Sequence, residues 1–452
     1  MDLEREEFLK QIHGYFSDNI NQVNKVKIIG GLPGIGKTQT VLQYIKQYKN
    51  EYGNKVRWIK ADSESSLDIS FREFAKDLGL TPGKMKDKEI LLWVGAKLVN
   101  YPNKILLVFD NAENPKLVSK YLSKVAVRNT HDVIITTNKK LEKWQEIIEN
   151  NQITTLEKLQ LKDITKFIQA VIPGAINQNT IEEDIKDLVE LFDGITLGIS
   201  KSIAFIKHHP MPFTIRDYIN RHQEFIDSKL LSSEFLNSID ESAYELAHIK
   251  NIYASLSMAL DSLLEHSPEA YKIIKFCSFL NADEIPLVLL ESISTNAEGR
   301  DDFINILKGY LFITFKEKEN NNFIYIHRIL QKVIKMKISS EEKVIQMQRL
   351  AQILIEQKYF TRDNIKKEHY QNNIKYLSHV ESILENLKVY GLELTPELGY
   401  LEVARATYYD FNKDHIKARA ILIELKGEIE KLANINGNED INLETRCQQL
   451  SK

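Results

Sequence analysis

Val26-Lys27-Ile28-Ile29, running into Gly31-Leu32-Pro33-Gly34-Ile35-Gly36-Lys37-Thr38-Gln39, is the stretch on which the reading of this chain turns. The first part is a short apolar strand. Gly31–Thr38 then satisfies G-x-x-x-x-G-K-[ST], and Val41, Leu42, Ile45 and Tyr48 recur on one helical face after it. Strand, glycine loop and helix in that order form a phosphate-binding loop. Glycines let backbone N–H groups turn inward on phosphate oxygens without a side-chain clash, and the positive end of the helix adds to the anion site. Pro33, Gly34, Ile35, Gly36, Lys37, Thr38 and Gln39 are therefore expected to line the phosphates. Lys37 supplies a point charge to the β- and γ-phosphates, and Thr38 offers a hydroxyl to Mg2+.

Working outward, Val56-Arg57-Trp58-Ile59, Ile105–Phe109 and Val133-Ile134-Ile135-Thr136 read as further buried strands, and Phe71, Phe74, Ala75 and Leu78 as the inward face of a helix. Continuous apolar strands alternating with helices predict a parallel sheet covered on both faces. Ile105–Phe109 delivers Asp110 at its C-terminal end, where a carboxylate can hold the Mg2+ water shell. Asn111 follows, where many ATPases carry an acid that orients the attacking water; the nearest carboxylate is Glu113. An amide positions water but takes no proton, so of the candidate catalytic residues Asp110, Asn111 and Glu113, Asn111 predicts slow hydrolysis unless Glu113 substitutes as the base. Asn138-Lys139-Lys140 begins like a guanine-reading motif, but Leu141 stands where a carboxylate is needed, which favours adenine.

Strand signals fade from about Leu156. Helical patterns carry Phe167, Ile168, Leu188, Leu191, Ile203 and Ile206, and two further helices cover Tyr253–Leu264 and Glu269–Leu280. Leu311–Phe315 and Phe323–Ile326 around the polar Lys316–Asn322 read as a hairpin, which with the helices suggests a winged-helix module. Beyond about residue 340 the pattern is helical, and Ala406, Tyr409, Ala418, Leu422 and Leu425 have the small/large alternation of a helix-hairpin repeat. The expected architecture is a P-loop α/β domain over residues 1–155, a small helical domain over 156–228, a winged-helix domain over 229–340, and a helical, TPR-like region over 341–452.

Composition narrows the functional classes. The chain has 452 residues, 43% hydrophobic and 27% charged, as expected of folded domains. Sixty Lys and Arg against 63 Asp and Glu give a formal charge of −3, which argues against a chain coated in nucleic acid. Cys277 and Cys447 are the two cysteines, so neither a disulfide framework nor a zinc site is expected. No apolar run is long enough to span a bilayer and the charged start MDLEREEFLK is no signal peptide, so a cytoplasmic protein is expected.

These motifs together resemble the STAND class of signalling ATPases, in particular the NB-ARC group shared by apoptosome proteins, plant resistance proteins and many bacterial proteins. The likeness covers roughly residues 1–340. Arg5-Glu6 before Phe8-Leu9 resembles the arginine–glutamate element ahead of the loop, without its usual preceding glycine. Val56–Ala61 resembles the tryptophan strand of bacterial members, and Leu106–Glu113 their Walker B segment with Asn111 for a second Asp. Gly194-Ile195-Thr196-Leu197-Gly198-Ile199 resembles Gly-x-Pro-Leu-Ala-Leu, with Thr196 in place of the proline that packs near adenine. Ile326-His327-Arg328 resembles the winged-helix histidine motif that reaches the ADP β-phosphate. Asn138, after Thr136-Thr137, stands where the family usually has an arginine sensing the γ-phosphate.

The resemblance implies an ADP/ATP switch. ADP and Mg2+ hold a closed state through the loop, Thr137, Asn138, Gly194, Thr196, Leu197 and His327; exchange for ATP opens it and permits homo-oligomerisation. A protein trigger or effector would act through the C-terminal helices. Two other classes are open to the same residues. One is a nucleotide-regulated DNA-binding protein using Arg328, Lys332, Lys335 and Lys337, and the other an AAA+-like motor ATPase.

Overall fold

The computed structural model describes residues 5–18, 25–53, 55–82, 85–125, 131–138, 141–145, 152–171, 180–209, 211–230, 243–291, 297–318, 321–357, 374–412 and 414–436. These divide into two compact units. The first holds α1 (Glu6–Asp18), β1 (Lys25–Gly30), α2 (Lys37–Tyr48), β2 (Val56–Lys60), α3 (Glu64–Asp77), α4 (Asp87–Val99), β3 (Leu106–Asp110), α5 (Pro115–Val125), β4 (Asp132–Thr137), the one-turn α6 (Glu142–Gln145) and β5 (Ile153–Thr155). The helices α7 (Leu161–Val171), α8 (Thr180–Leu191), α9 (Thr196–His208) and α10 (Ile215–Phe225) follow in the same unit, as does most of α11 (Ala243–His266).

The strands form one parallel sheet in the order β2-β3-β4-β1-β5. Ile28, Ile29, Leu106, Leu107, Val108, Phe109, Ile134 and Ile135 are all buried, as the apolar runs require of a sheet covered on both faces. β1 and β4 are neighbours, yet their connections leave in opposite directions, β1 toward β2 and β4 toward β5. That arrangement opens a crevice beyond their carboxyl ends, where open α/β sheets bind ligands. The loop Gly31–Gly36 lies there.

Two details differ from the sequence reading. The sheet has a fifth strand, β5, pairing Ile28↔Ile153 to Gly30↔Thr155. The inward face of α2 centres on Val41 and Tyr44, with Leu42, Ile45 and Tyr48 only partly buried. Tyr44 goes inward because its hydroxyl meets that of Tyr52 at 3.1 Å, and Tyr52 donates to the buried Asp132 at 2.7 Å.

The second unit holds α12 (Pro268–Cys277), β6 (Ile285–Pro286), the one-turn α13 (Val288–Glu291), α14 (Ala297–Gly309, up to Lys308), β7 (Ile313–Lys318), β8 (Asn321–Ile326) and α15 (Arg328–Met336). The hairpin expected around Lys316–Asn322 forms, in register from Ile313↔Ile326 to Lys318↔Asn321, and β6 completes an antiparallel sheet β6-β8-β7. Gln331 on α15 donates to the Cys277 and Leu280 carbonyls at 3.1 and 2.9 Å, tying α15 to the end of α12. Then come α16 (Ser340–Glu356), α17 (Leu377–Val389), α18 (Pro396–Phe411) and α19 (His415–Asn436). α18 and α19 pack as a helical hairpin through Val403, Leu425 and Ile429. No helix among the described residues is long and apolar enough to cross a membrane.

Candidate functional site

The loop's shape comes from its glycines. Gly34 has φ +82° and Gly36 φ +103°, backbone that side chains rarely adopt. A Cβ on Gly34 would also lie 2.8 Å from the Leu197 Cβ, so the loop and the start of α9 meet where only hydrogen fits. Thr196 Oγ1 donates to the Gly34 carbonyl at 2.7 Å and the Leu197 N–H to the same oxygen at 3.1 Å. Gly194, φ +69°, closes the end of α8 and turns the chain into α9. The sequence motif at Gly194–Leu197 is thus seated directly on the loop.

Lys37 begins α2 and is 8% exposed. Its ammonium donates to the Gly31 and Leu32 carbonyls at 2.8 and 3.0 Å and to Asn138 Oδ1 at 2.6 Å. Burial pulls its pKa down to about 8, against the raising influence of the Asp110 and Glu113 carboxylates. Thr38 and Gln39 are exposed on the first turn of α2, and Thr38 Oγ1 donates to Asp110 Oδ1 at 3.0 Å. A hydroxyl and a carboxylate in contact are hard oxygen donors of the kind Mg2+ takes, so this pair fits that ion.

Around Asp110 the ends of β3 and β4 are laced together. Asn138 Nδ2 donates to Glu113 Oε1 at 3.1 Å and to Asn111 Oδ1 at 3.4 Å, so one carboxamide connects Lys37 with Glu113. Asn111 has φ +61°, a left-handed conformation that asparagine tolerates better than most residues. Thr137 is fully buried, with its hydroxyl donated to the Ala112 carbonyl at 2.8 Å. Lys139 and Lys140 lie outside the described residues.

Arg5 and Thr136 join the predicted set. Arg5 donates to the Ile35 carbonyl at 2.9 Å and to the Glu157 carbonyl, clasping the loop from the N-terminal side, and burial lowers its pKa to about 10. Its signal in the sequence is the Arg5-Glu6 element. Thr136 contacts Asp110 and has no motif of its own.

His327 lies in the second unit, exposed at the start of α15. Its Nδ1 accepts from the Ile329 N–H at 3.2 Å, an N-cap that places the neutral ring's proton on Nε2.

The chain matches no protein-family model and no curated protein. Among solved structures it is similar to a signal transduction ATPase with numerous domains (STAND) from Pyrococcus horikoshii that carries a tetratricopeptide repeat sensor. The identity there is 14%, over 95% of this chain and 64% of that one, with a TM-score of 0.46. It is also similar to Cdc6p from Pyrobaculum aerophilum, at 12% identity, 74% and 95% coverage and a TM-score of 0.33. The ORC2 protein from Aeropyrum pernix, solved as ADPNP–ADP complexes, gives 11%, 74%, 94% and 0.35. This chain spans less than two thirds of the STAND protein's length.

Proposed function

We propose that the chain binds an adenine nucleotide with Mg2+ at Gly31–Thr38 and works as a slow ADP/ATP switch rather than a fast ATPase. The observation that carries this is a glycine loop at the crevice of a parallel sheet, with a buried Lys37 in it and the Thr38–Asp110 contact of 3.0 Å at its end. Lys37 and the backbone at Pro33–Gln39 bind the phosphates; Thr38 and Asp110 would hold Mg2+, which neutralises phosphate charge when bound. Asn138 orients Glu113, and Thr137 holds the turn after Asp110.

The switch part of the reading has a single ligand sensed by separate segments, for which we keep the four segments 1–155, 156–228, 229–340 and 341–452. Thr196 and Leu197 already hold the loop's Gly34 carbonyl, which couples the helical segment to whatever the loop binds. In the winged-helix segment His327, protonated on Nε2, is the donor offered to a β-phosphate, and the C-terminal helices are offered to a protein trigger. A ligand biases such a switch only through its differential affinity for the two states. Slow chemistry follows from Asn111, which stands after Asp110 and cannot accept a proton.

The DNA-binding alternative loses support. Of its four basic residues, Arg328 pairs with Asp283 at 2.9 Å, and Lys335 is half-buried and donates to Asn386 at 2.8 Å. Titration of the protein with Mg-ADP, Mg-ATP and Mg-GDP tests the proposal. Tight binding of the adenine nucleotides and weak binding of GDP is expected; equal affinity for GDP would overturn the adenine assignment.

A further inference from the structure

Thr136 and Thr137 end β4 side by side, and their hydroxyls serve different ends. Thr137 donates to the Ala112 carbonyl. Thr136, 1% exposed, donates to Asp110 Oδ1 at 2.5 Å and accepts from the Asn111 N–H at 2.8 Å. These roles are forced: an N–H only donates, an ionised carboxylate only accepts, and a hydroxyl has one proton to give. The parallel register Phe109↔Ile135 brings the next residues, Asp110 and Thr136, alongside each other.

We infer that Thr136 is a positioning residue for the Mg2+ end of the nucleotide site, setting how firmly Asp110 is aimed beside Thr38. The inference rests on the nucleotide reading above. An aspartate at a strand end turns broadly about its last side-chain bond, so its direction needs an outside partner. Asp110 Oδ1 receives Thr38 and Thr136 together, at 3.0 and 2.5 Å. The same Thr136 oxygen pins the left-handed Asn111 backbone that follows, so one hydroxyl fixes both the carboxylate and the turn leaving it. The residues before it, Ile134 and Ile135, are buried and apolar. Packing alone would be served by a valine there; the hydroxyl is explained by what it holds. Partners that orient a metal-holding carboxylate typically change metal affinity by about 10–100-fold when removed.

The test is ADP affinity measured with Mg2+ and with EDTA for the wild type, Thr136→Val and Thr136→Ser. Thr136→Val should lose about 10–100-fold of the gain in affinity that Mg2+ confers, with affinity in EDTA close to wild type. Thr136→Ser, which keeps the hydroxyl, should restore the gain. If Thr136→Val retains the Mg2+ gain, or loses affinity equally with and without Mg2+, Thr136 is a packing residue and the inference fails alone. Should the valine variant not fold, Thr136→Ala is the second hydroxyl-free variant and is judged by the same outcomes. A wild type that binds no ADP under either condition takes down the nucleotide reading and this inference with it.

Discussion

Lys37 holds a pKa of about 8 while donating to two loop carbonyls and to Asn138. Anionic phosphates favour its charged form, so binding must raise that value. The sign follows from linkage. Nucleotide affinity is full below about pH 8, where the free protein's Lys37 is already protonated, and falls as pH rises from there toward the raised value of the complex. The fall approaches about tenfold per pH unit. Lys37→Arg, charged throughout, should flatten this profile whatever its absolute affinity. An identical pH slope in wild type and Lys37→Arg would mean that another group titrates. That the loop motif and the strand end would bring Thr38 and Asp110 together was legible in the sequence, because each is a short local pattern. Thr136 was not, because its role comes from the register between two strands far apart in the chain. The left-handed Asn111 was equally hidden: it read as a missing acid, whereas the structure adds a backbone reason for asparagine.

At the scale of elements, the loop and α9 depend on one another through Gly34. Gly34→Ala adds a methyl at φ +82° and 2.8 Å from the Leu197 Cβ. Alanine at a positive φ costs more than about 1 kcal/mol, and the clash adds to it. Lowered thermal stability together with weakened nucleotide binding is expected; unchanged values for both would show that the loop and α9 are not packed as described. A second element-level test lies deeper in α9. Lys201 is buried, with its ammonium on the Leu311 carbonyl, and burial depresses its pKa from the ordinary 10.5 to about 7. The unfolded chain therefore binds more protons than the folded one between those two values, so Lys201 makes stability rise with pH across that window. Lys201→Met should flatten the rise in denaturant stability between pH 7 and 10, and an unaltered slope would contradict the assignment. The apolar run of α9 announced its helix; nothing in the pattern announced a lysine inside it. The strand β5 was missed for a related reason, since three residues at a sheet edge carry too little alternation to be read without β1 beside them.

At the scale of the molecule, the proposed switch needs separate segments to read one nucleotide. His327 tests that step. As an N-cap it satisfies the Ile329 N–H at the start of α15, and any stability lost with that cap should be lost equally in His327→Ala with and without ADP. A β-phosphate donor adds a second effect, faster ADP release, which capping cannot produce. An unchanged off-rate beside a lowered melting temperature would leave His327 as a cap and remove it from the switch. The strand–loop–helix order and the later hairpin were legible because each is a local pattern. The packing of Gly194–Leu197 against the loop entered only through the resemblance, since those segments lie far apart in the chain.

The proposed switch depends on the loop at Gly31–Thr38 holding an adenine nucleotide through Lys37. The direct measurement is the nucleotide released on denaturing purified wild type and Lys37→Ala, set beside their melting temperatures with and without added Mg-ADP. ADP or ATP is expected from the wild type and little from the variant. Saturating Mg-ADP should raise only the wild-type melting temperature; ligand at about 100 times its Kd contributes about 2.7 kcal/mol. Equal nucleotide content and equal stabilisation in the two proteins, or none in either, would contradict nucleotide binding through Lys37.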